Sequence, residues 1–205
     1  MKYYEGFAQF KYKWDQVVSS FFQRYPNPRS KHVLTEDMLS YHVKGNKLFT
    51  KKLYTKTNKL PKWGSSFVTG PKQVCVIEET ILDPKAKKLT TYSRNVGYLS
   101  SIMVVEERCE YTLNTEEQKW TSLKREAWVT SSIMGFSHAI QAFGIERFKK
   151  NCQSTLKGFQ YILEMKYGSD KMQDASTSES KLKETAKNAR EKASKMAAKA
   201  GIVQY

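Results

Sequence analysis

Seven extended segments, followed by one long helical segment, constrain the fold of this chain most strongly. Alternating apolar and polar residues, bounded by turn signals, predict strands at residues 2–12, 32–43, 48–57, 74–82, 88–97, 101–113 and 119–130. The sequence Lys44-Gly45-Asn46-Lys47 is typical of a hairpin, and Asp83-Pro84 is typical of a turn. Because short connections join strands that pair antiparallel, we expect a seven-stranded antiparallel sheet in meander order.

An apolar stripe predicts a helix from about residue 131 to residue 167. Its members recur at spacings of three to five residues: Phe136, Ile140, Phe143, Phe148, Cys152, Leu156, Phe159 and Leu163. A shorter amphipathic helix is predicted over residues 13–24, with Pro26 ending it. Since only the long helix can cover the apolar face of the sheet, we expect an α+β fold in which a curved sheet grips this helix around a cavity.

The composition changes after residue 167. Residues 168–180 are polar and predict a flexible linker, whereas residues 181–200 are rich in Ala and Lys and favour a helix with a thin apolar face. We therefore expect a domain over residues 1–167 and a tail over residues 168–205. The tail fits either a solvated appendage or a helix that lies on a membrane.

The chain is strongly basic, with a formal net charge of +15 from 35 basic and 20 acidic side chains. The tail contributes eight basic and five acidic residues, so +12 of the charge lies on the preceding domain. This charge predicts a polyanionic partner, and an anionic membrane surface and a nucleic acid fit it almost equally well. Because RGG repeats, an RNP motif and zinc-finger spacing are absent, we expect no nucleic-acid partner.

The sequence offers no signature of an enzyme, a cofactor site or a metal site. It lacks the GxSxG, GxGxxG, Walker A and HExxH motifs, and its three cysteines, Cys75, Cys109 and Cys152, have no metal-ligand spacing. We expect free thiols and no catalytic residues. In each of the paired carboxylates Glu78-Glu79 and Glu106-Glu107, one member should face the interior of the fold, where it needs a partner.

Cations placed next to apolar surfaces are the candidate ligands of an anionic amphiphile. Arg24 follows the apolar first helix and precedes a Tyr-Pro-Asn-Pro turn, and Arg147 and Asn151 extend the line of Phe143 along the long helix. A guanidinium group suits a phosphate because the two meet bidentately. The alternatives are a favourable helix-end interaction for Arg24 and a snorkelling side chain for Arg147.

Residues 60–71 interrupt the strand pattern with glycine, proline and serine. Lys62, Trp63, Phe67 and Val68 in this segment predict a lid that dips into a membrane interface. The alternative, in which Trp63 packs on the edge of the sheet, explains the aromatic residue in this segment about equally well.

Six motifs in order along roughly residues 1–166 resemble the PRELI family of mitochondrial lipid-transfer proteins, and its PRELI branch more than its slowmo branch. They are Arg24-Tyr25-Pro26-Asn27-Pro28, His32-Val33-Leu34-Thr35-Glu36-Asp37, Leu60-Pro61-Lys62-Trp63, Met103-Val104-Val105-Glu106-Glu107, Arg125-Glu126-Ala127-Trp128 and Gly158-Phe159-Gln160-Tyr161-Ile162-Leu163. The resemblance implies a START-like, phosphatidylinositol-transfer-protein-like fold. It also implies transfer of phosphatidic acid between the outer and inner mitochondrial membranes in support of cardiolipin synthesis, with phosphatidylserine as the alternative cargo.

The resemblance further implies where the lipid head group binds. The matching positions are Arg24, His32, Lys56, Lys59, Arg147 and Asn151, and the chain has Ser154 where some members have one more basic residue. It implies a location in the intermembrane space, contact with cardiolipin-containing membranes, and a small helical-hairpin partner protein with twin Cx9C motifs. No cofactor is implied.

Overall fold

The computed structural model describes residues 1–57, 73–117 and 119–168 in full and residues 169–200 as helical backbone. The elements in chain order are β1 (Lys2–Phe10), α1 (Trp14–Phe21), β2 (Val33–Lys44), β3 (Lys47–Thr57), β4 (Gln73–Asp83), β5 (Lys88–Val96), a short 3₁₀ helix (Tyr98–Ser101), β6 (Val104–Leu113), β7 (Thr121–Thr130) and α2 (Ser137–Ala200). The predicted lid residues Lys62, Trp63, Phe67 and Val68, and Lys59, lie outside the described residues. Within these ranges no helix is both long and apolar enough to cross a membrane.

The seven strands form one antiparallel sheet in the order β1-β7-β6-β5-β4-β3-β2. The predicted meander is correct for β2 to β7 and wrong for β1, which pairs with β7 from Lys2↔Val129 to Phe10↔Thr121. The physical reason is the connection after β1: it contains α1 rather than a tight turn, so β1 and β2 end at opposite edges of the sheet. Strand β2 is therefore an edge strand, and two irregularities in its register interrupt it.

Helix α1 ends at Phe21, three residues before the predicted end at residue 24. Its buried face is formed by Trp14, Val17, Val18 and Phe21, and the indole of Trp14 donates a hydrogen bond to the carbonyl of Tyr111 on β6 at 3.1 Å. Nη1 of Arg24 donates to the carbonyl of Phe21 at 2.9 Å. The side chain of Arg24 thus satisfies a backbone acceptor that another helical turn would have satisfied.

Helix α2 begins at Ser137, not at residue 131. Phe136, which was expected in the buried stripe, consequently lies outside the helix and is 52% exposed. The helical backbone continues through residues 168–180, for which the sequence predicts a linker; this segment contains no proline to stop it. The chain forms two compact units, Met1–Leu163 and Glu164–Tyr205, and the division into a domain over residues 1–167 and a tail over residues 168–205 stays a prediction.

Two glycines bring α2 close to the rest of the first unit. A Cβ atom on Gly144 would meet Sδ of Met103 and would lie 2.8 Å from Cγ1 of Val129. A Cβ atom on Gly158 would lie 2.9 Å from Oγ of Ser30, in the turn that follows α1. Because both distances are shorter than side chains tolerate, these positions fix the helix against the sheet and against the turn that carries Arg24.

Aromatic rings from four elements pack together near the C-terminal part of α2 in the first unit. The ring centre of Phe159 lies 5.0 Å from that of Phe10 on β1 and 6.2 Å from that of Tyr111 on β6. Phe21 of α1 adds an edge-on contact to Tyr111 at 5.7 Å. These contacts join β1, α1, β6 and α2 into one core.

Candidate functional site

A cavity of about 270 Å³ lies between the concave face of the sheet and α2. Its apolar lining comes from both layers: Val74, Val76, Leu99, Ile102, Met103, Val105, Ile140, Phe143, Leu156 and Phe159. Its lining also contains the charged or polar residues Arg24, His32, Lys56, Glu78, Arg94, Glu107, Arg125, Arg147 and Asn151. Five of the six predicted head-group residues thus meet in one cavity, and the sixth, Lys59, lies outside the described residues.

His32, Lys56 and Arg147 form a group of basic side chains in this cavity, here called the basic cluster. The backbone holds two of them together, because the carbonyl of His32 accepts a hydrogen bond from the amide of Thr57 at 2.8 Å, and Val33 pairs with Lys56. Burial lowers the pKa of His32 below its ordinary value of 6.5, and the positive charges of Lys56 and Arg147 lower it further. Burial also lowers the pKa of Arg147, so an anion would relieve both the desolvation and the mutual repulsion of the cluster.

Arg24 is buried in the cavity wall as half of an ion pair. Its Nη2 atom donates to both carboxylate oxygens of Glu78, each at 2.7 Å, and the hydroxyl of Tyr54 donates to Oε1 of the same carboxylate at 3.0 Å. Burial opposes the charge on each partner, but the carboxylate of Glu78 raises the pKa of Arg24 and the guanidinium lowers the pKa of Glu78. The pair is therefore ionised and carries no net charge.

The surroundings of Arg24 fix its position. The guanidinium carbon lies 3.8 Å from the ring centre of Phe21, and Asn27 donates a hydrogen bond from Nδ2 to the carbonyl of Arg24 at 2.7 Å. The helix-end role that the sequence left open for Arg24 is thus present, together with a position in the cavity. Whether Arg24 binds a head group stays a prediction.

A second pair joins the buried Arg125 on β7 to the partly buried Glu107 on β6, with Nε of Arg125 2.8 Å from Oε1 of the carboxylate. Glu78 and Glu107 are the inward members of the two carboxylate pairs, so the expectation that each would find a partner is confirmed. Nε of Arg125 also lies 3.4 Å from Sγ of Cys109. Burial raises the pKa of Cys109, and it raises the pKa of Cys152 to about 11, so both thiols stay protonated near neutral pH.

Sequence reasoning did not assign Arg94, Glu78, Glu107 or Arg125 to the site, although all four line the cavity. The sequence carried a signal for the carboxylates, which are the inward members of adjacent pairs. It carried none for the pairing of Arg24 with Glu78, because the two residues are 54 positions apart and belong to different elements. Arg94, exposed near the end of β5, fits a solvated strand end equally well from sequence.

Comparison with known proteins places the chain in a family. The model of the PRELI-like family matches residues 15–169. The chain belongs to the PRELI-like family. It is 45% identical over 196 residues to "PRELI domain-containing protein 1, mitochondrial" of Homo sapiens, a match that covers 94% of this chain and 86% of that protein. It is 31% identical over 150 residues to "Protein UPS1, mitochondrial" of Saccharomyces cerevisiae, covering 72% of this chain and 85% of that protein.

These relatives confirm the family expected from the motifs, and they confirm the mitochondrial location. A location in the intermembrane space, and transfer of lipid between membranes, are consistent with them. The fold also agrees with a solved structure, the Zhui aromatase/cyclase from Streptomyces sp. R1128, with a TM-score of 0.54 over 80% of this chain and 93% of that chain. At 12% identity this likeness concerns the fold alone, and it confirms the expected START-like grip of a curved sheet on a helix.

Proposed function

We propose that this protein carries phosphatidic acid between the outer and inner mitochondrial membranes, in the intermembrane space, and so supports cardiolipin synthesis. One observation carries the proposal: a cavity with apolar walls contains the basic cluster of His32, Lys56 and Arg147. Apolar walls suit acyl chains, and the basic cluster suits a small anionic head group. Membership of the PRELI-like family supports the same function.

Transfer of this kind needs no covalent step and no cofactor. Burial of each CH₂ group in the cavity contributes about 0.8 kcal/mol, and withdrawal of the same group from the bilayer costs a similar amount. The two terms nearly cancel, so the lipid can be both taken up and released. Discrimination between lipids then depends on the head group.

The charges of the cavity favour a phosphate monoester over a head group that also carries an ammonium ion. The cavity-lining carboxylates among the described residues are Glu78 and Glu107, and each is already paired with a buried arginine. An ammonium group entering the cavity would therefore lack a free anionic partner, while a phosphate would meet the basic cluster. We propose that Asn151 adds hydrogen bonds to this site and that Lys59 adds positive charge. We also propose that Arg24 forms part of the polar wall of the site.

Transfer of fluorescent lipid between two vesicle populations tests the function. The protein is expected to move phosphatidic acid faster than phosphatidylserine and phosphatidylcholine. Arg147→Glu puts an anion into the basic cluster and should reduce transfer of phosphatidic acid at least about tenfold, whereas Lys150→Glu makes the same charge change at an exposed position of α2 and should have a small effect. Equal rates for the three lipids, or equal loss in the two variants, would contradict the proposal.

We also propose the two interactions that the family resemblance implies. The segment with Lys62, Trp63, Phe67 and Val68 would cover the cavity and contact cardiolipin-containing membranes, and a small twin-Cx9C helical hairpin would bind the protein as an obligate partner. Family membership supports both. Co-expression with such a hairpin protein should raise the soluble yield and give a complex of one copy each in gel filtration; an unchanged yield and separate elution would argue against the partner.

A further inference from the structure

Two connections at one end of the sheet expose large apolar side chains. Residues 97–103 join β5 to β6, and residues 131–136 join β7 to α2. Tyr98 is 49% exposed in the first, and Met134 and Phe136 are 94% and 52% exposed in the second. These three side chains are here called the apolar tip.

The two connections form one surface. Thr130, just before the second connection, pairs with Val104, just after the first. Oγ of Ser131 donates a hydrogen bond to the carbonyl of Ile102 at 2.7 Å. The second connection is also joined to the start of α2, since Oγ of Ser137 donates to the carbonyl of Ser131 at 2.9 Å. These contacts join the two connections to each other and to α2, so the apolar tip does not lie on two independent loops.

The two connections and the residues that flank them in sequence lack formal charge. No Lys, Arg, Asp or Glu occurs from Asn95 through Val105, or in the 19 residues from Ala127 through Ile145, although 27% of the whole chain is charged. The opposite end of the sheet differs, because the β4–β5 turn contains Lys85 and Lys87 and the residues next to it are also charged. The two uncharged stretches thus belong to one end of the sheet, which they share with Lys2 on β1 through its pairing with Val129.

The apolar tip is continuous with the apolar lining of the cavity. Leu99 and Ile102 of the first connection, and Phe143 on α2, line that cavity. The basic cluster belongs to the same end of the sheet, because Lys56 is next to the last residue of β3 and pairs with Val74, the second residue of β4. The connection that carries Tyr98 thus also contributes apolar side chains to the cavity wall.

We propose that the apolar tip inserts into the interfacial region of an anionic bilayer and places the apolar end of the cavity against the acyl chains; this inference rests on the proposed function. A bilayer fits better than a protein surface because the site combines an uncharged tip of Tyr, Met and Phe with a domain of charge +12. The positive charge draws the protein to anionic lipid, and Tyr and Phe side chains are stable at the boundary between head groups and acyl chains.

Direct insertion is tested with an environment-sensitive fluorophore on Met134→Cys in a Cys75→Ser background, since Cys109 and Cys152 are buried. The control carries the fluorophore on Tyr41→Cys, an exposed site on β2 towards the opposite end of the sheet. With vesicles of phosphatidylcholine and cardiolipin, the label at position 134 should shift to the blue and be quenched by brominated acyl chains, while the label at position 41 should not. A label at position 134 that stays in water on bound protein would overturn the proposal.

The energetic contribution is tested with the double substitution Met134→Asp and Phe136→Asp. Vesicle binding should weaken about tenfold or more, because two apolar insertions are lost, and transfer of phosphatidic acid should fall with it. Phe7→Asp changes a more exposed aromatic residue (73%) on β1 and should leave both unchanged. Binding and transfer at the level of the unsubstituted protein would overturn the insertion while leaving the proposed function intact; failure of the unsubstituted protein to transfer lipid would count against the function itself.

Discussion

Replacement of Arg24 and Glu78, singly and together, tests whether the two residues form a buried ion pair in the cavity wall. Arg24 and Glu78 are only 6% and 9% exposed, and removal of one partner from a buried ion pair leaves an uncompensated charge, at a cost of about 3–5 kcal/mol. We expect Arg24→Met and Glu78→Gln each to lower the free energy of unfolding by about that amount. The double variant keeps neither charge of this pair, so it should lose much less stability than the sum of the single variants, with a coupling energy of about 3 kcal/mol or more.

The pH dependence of the free energy of unfolding provides a second, independent test with the same variants. In the unsubstituted protein the pKa of Glu78 is below 4.5, so its stabilising contribution is fully present above that pH and is lost as the pH falls through the folded-state value. In Arg24→Met, burial of Glu78 is no longer opposed by the guanidinium, and the pKa of the carboxyl should rise above 4.5. The native variant then binds more protons than the unfolded chain, so its stability deficit should shrink between about pH 7 and about pH 5.

Urea denaturation followed by circular dichroism measures both effects, and a neighbouring pair supplies the control. Lys51 and Glu79 lie at the adjacent register position on β3 and β4 with their charged atoms 2.9 Å apart, but both side chains are well exposed. Substituting Lys51→Met and Glu79→Gln should change stability by less than about 1 kcal/mol. If the Arg24 and Glu78 variants behave like this control, the pair is solvated and the reasoning about the cavity wall is wrong. The same physics means that Arg24→Glu would place two carboxylates together and report on folding before it reports on lipid binding.

Two further predictions concern the basic cluster and the packing of α2. The pKa of His32, followed by NMR, should lie below 6.5 in the free protein and rise when short-chain phosphatidic acid binds. The affinity for this lipid should therefore increase as the pH falls towards 6, and His32→Gln should remove that part of the increase. A pKa of His32 unaffected by the lipid would place the phosphate elsewhere. Gly158→Ala should lower the free energy of unfolding by about 1–3 kcal/mol because the new methyl group meets Ser30 and Asn27. In the control Gly168→Ala, the methyl group meets no neighbouring atom within 4 Å, so this substitution should be neutral or slightly stabilising. Similar effects of the two substitutions would show that α2 does not pack tightly at Gly158.

The parts of the fold that could be predicted from sequence are those with local causes. Alternation of side chains and turn residues such as Gly45-Asn46 place most strands within a few residues of their observed bounds, because a strand pattern and a hairpin turn are local properties. The partner of β1 is not local. The eight-residue helix α1 separates β1 from β2, and nothing in the residues of β1 distinguishes pairing with β2 from pairing with β7.

The candidate site also has features that could be predicted from sequence and features that could not. His32, Lys56, Arg147 and Asn151 could be assigned from motifs and helical spacing, and the cavity brings them together. The charge state of the cavity could not be assigned, because it depends on two long-range pairs, Arg24 with Glu78 and Arg125 with Glu107. A count of cations along the sequence overestimates the positive charge that a phosphate would meet, since two of the arginines are already neutralised.

Neutralisation of these two arginines has a consequence for how a lipid would be captured. The basic cluster lies near the strand ends at one edge of the cavity, since His32 directly precedes β2 and Lys56 is next to the last residue of β3. Glu78 lies four residues further along β4 than Val74, the residue opposite Lys56, which corresponds to about 13 Å at about 3.3 Å per residue. The apolar tip belongs to the same end of the sheet as the basic cluster. A single orientation on the bilayer would therefore present apolar side chains to the acyl region and cations to the phosphate, while the neutral ion pairs stabilise the deeper wall without attracting a second anion.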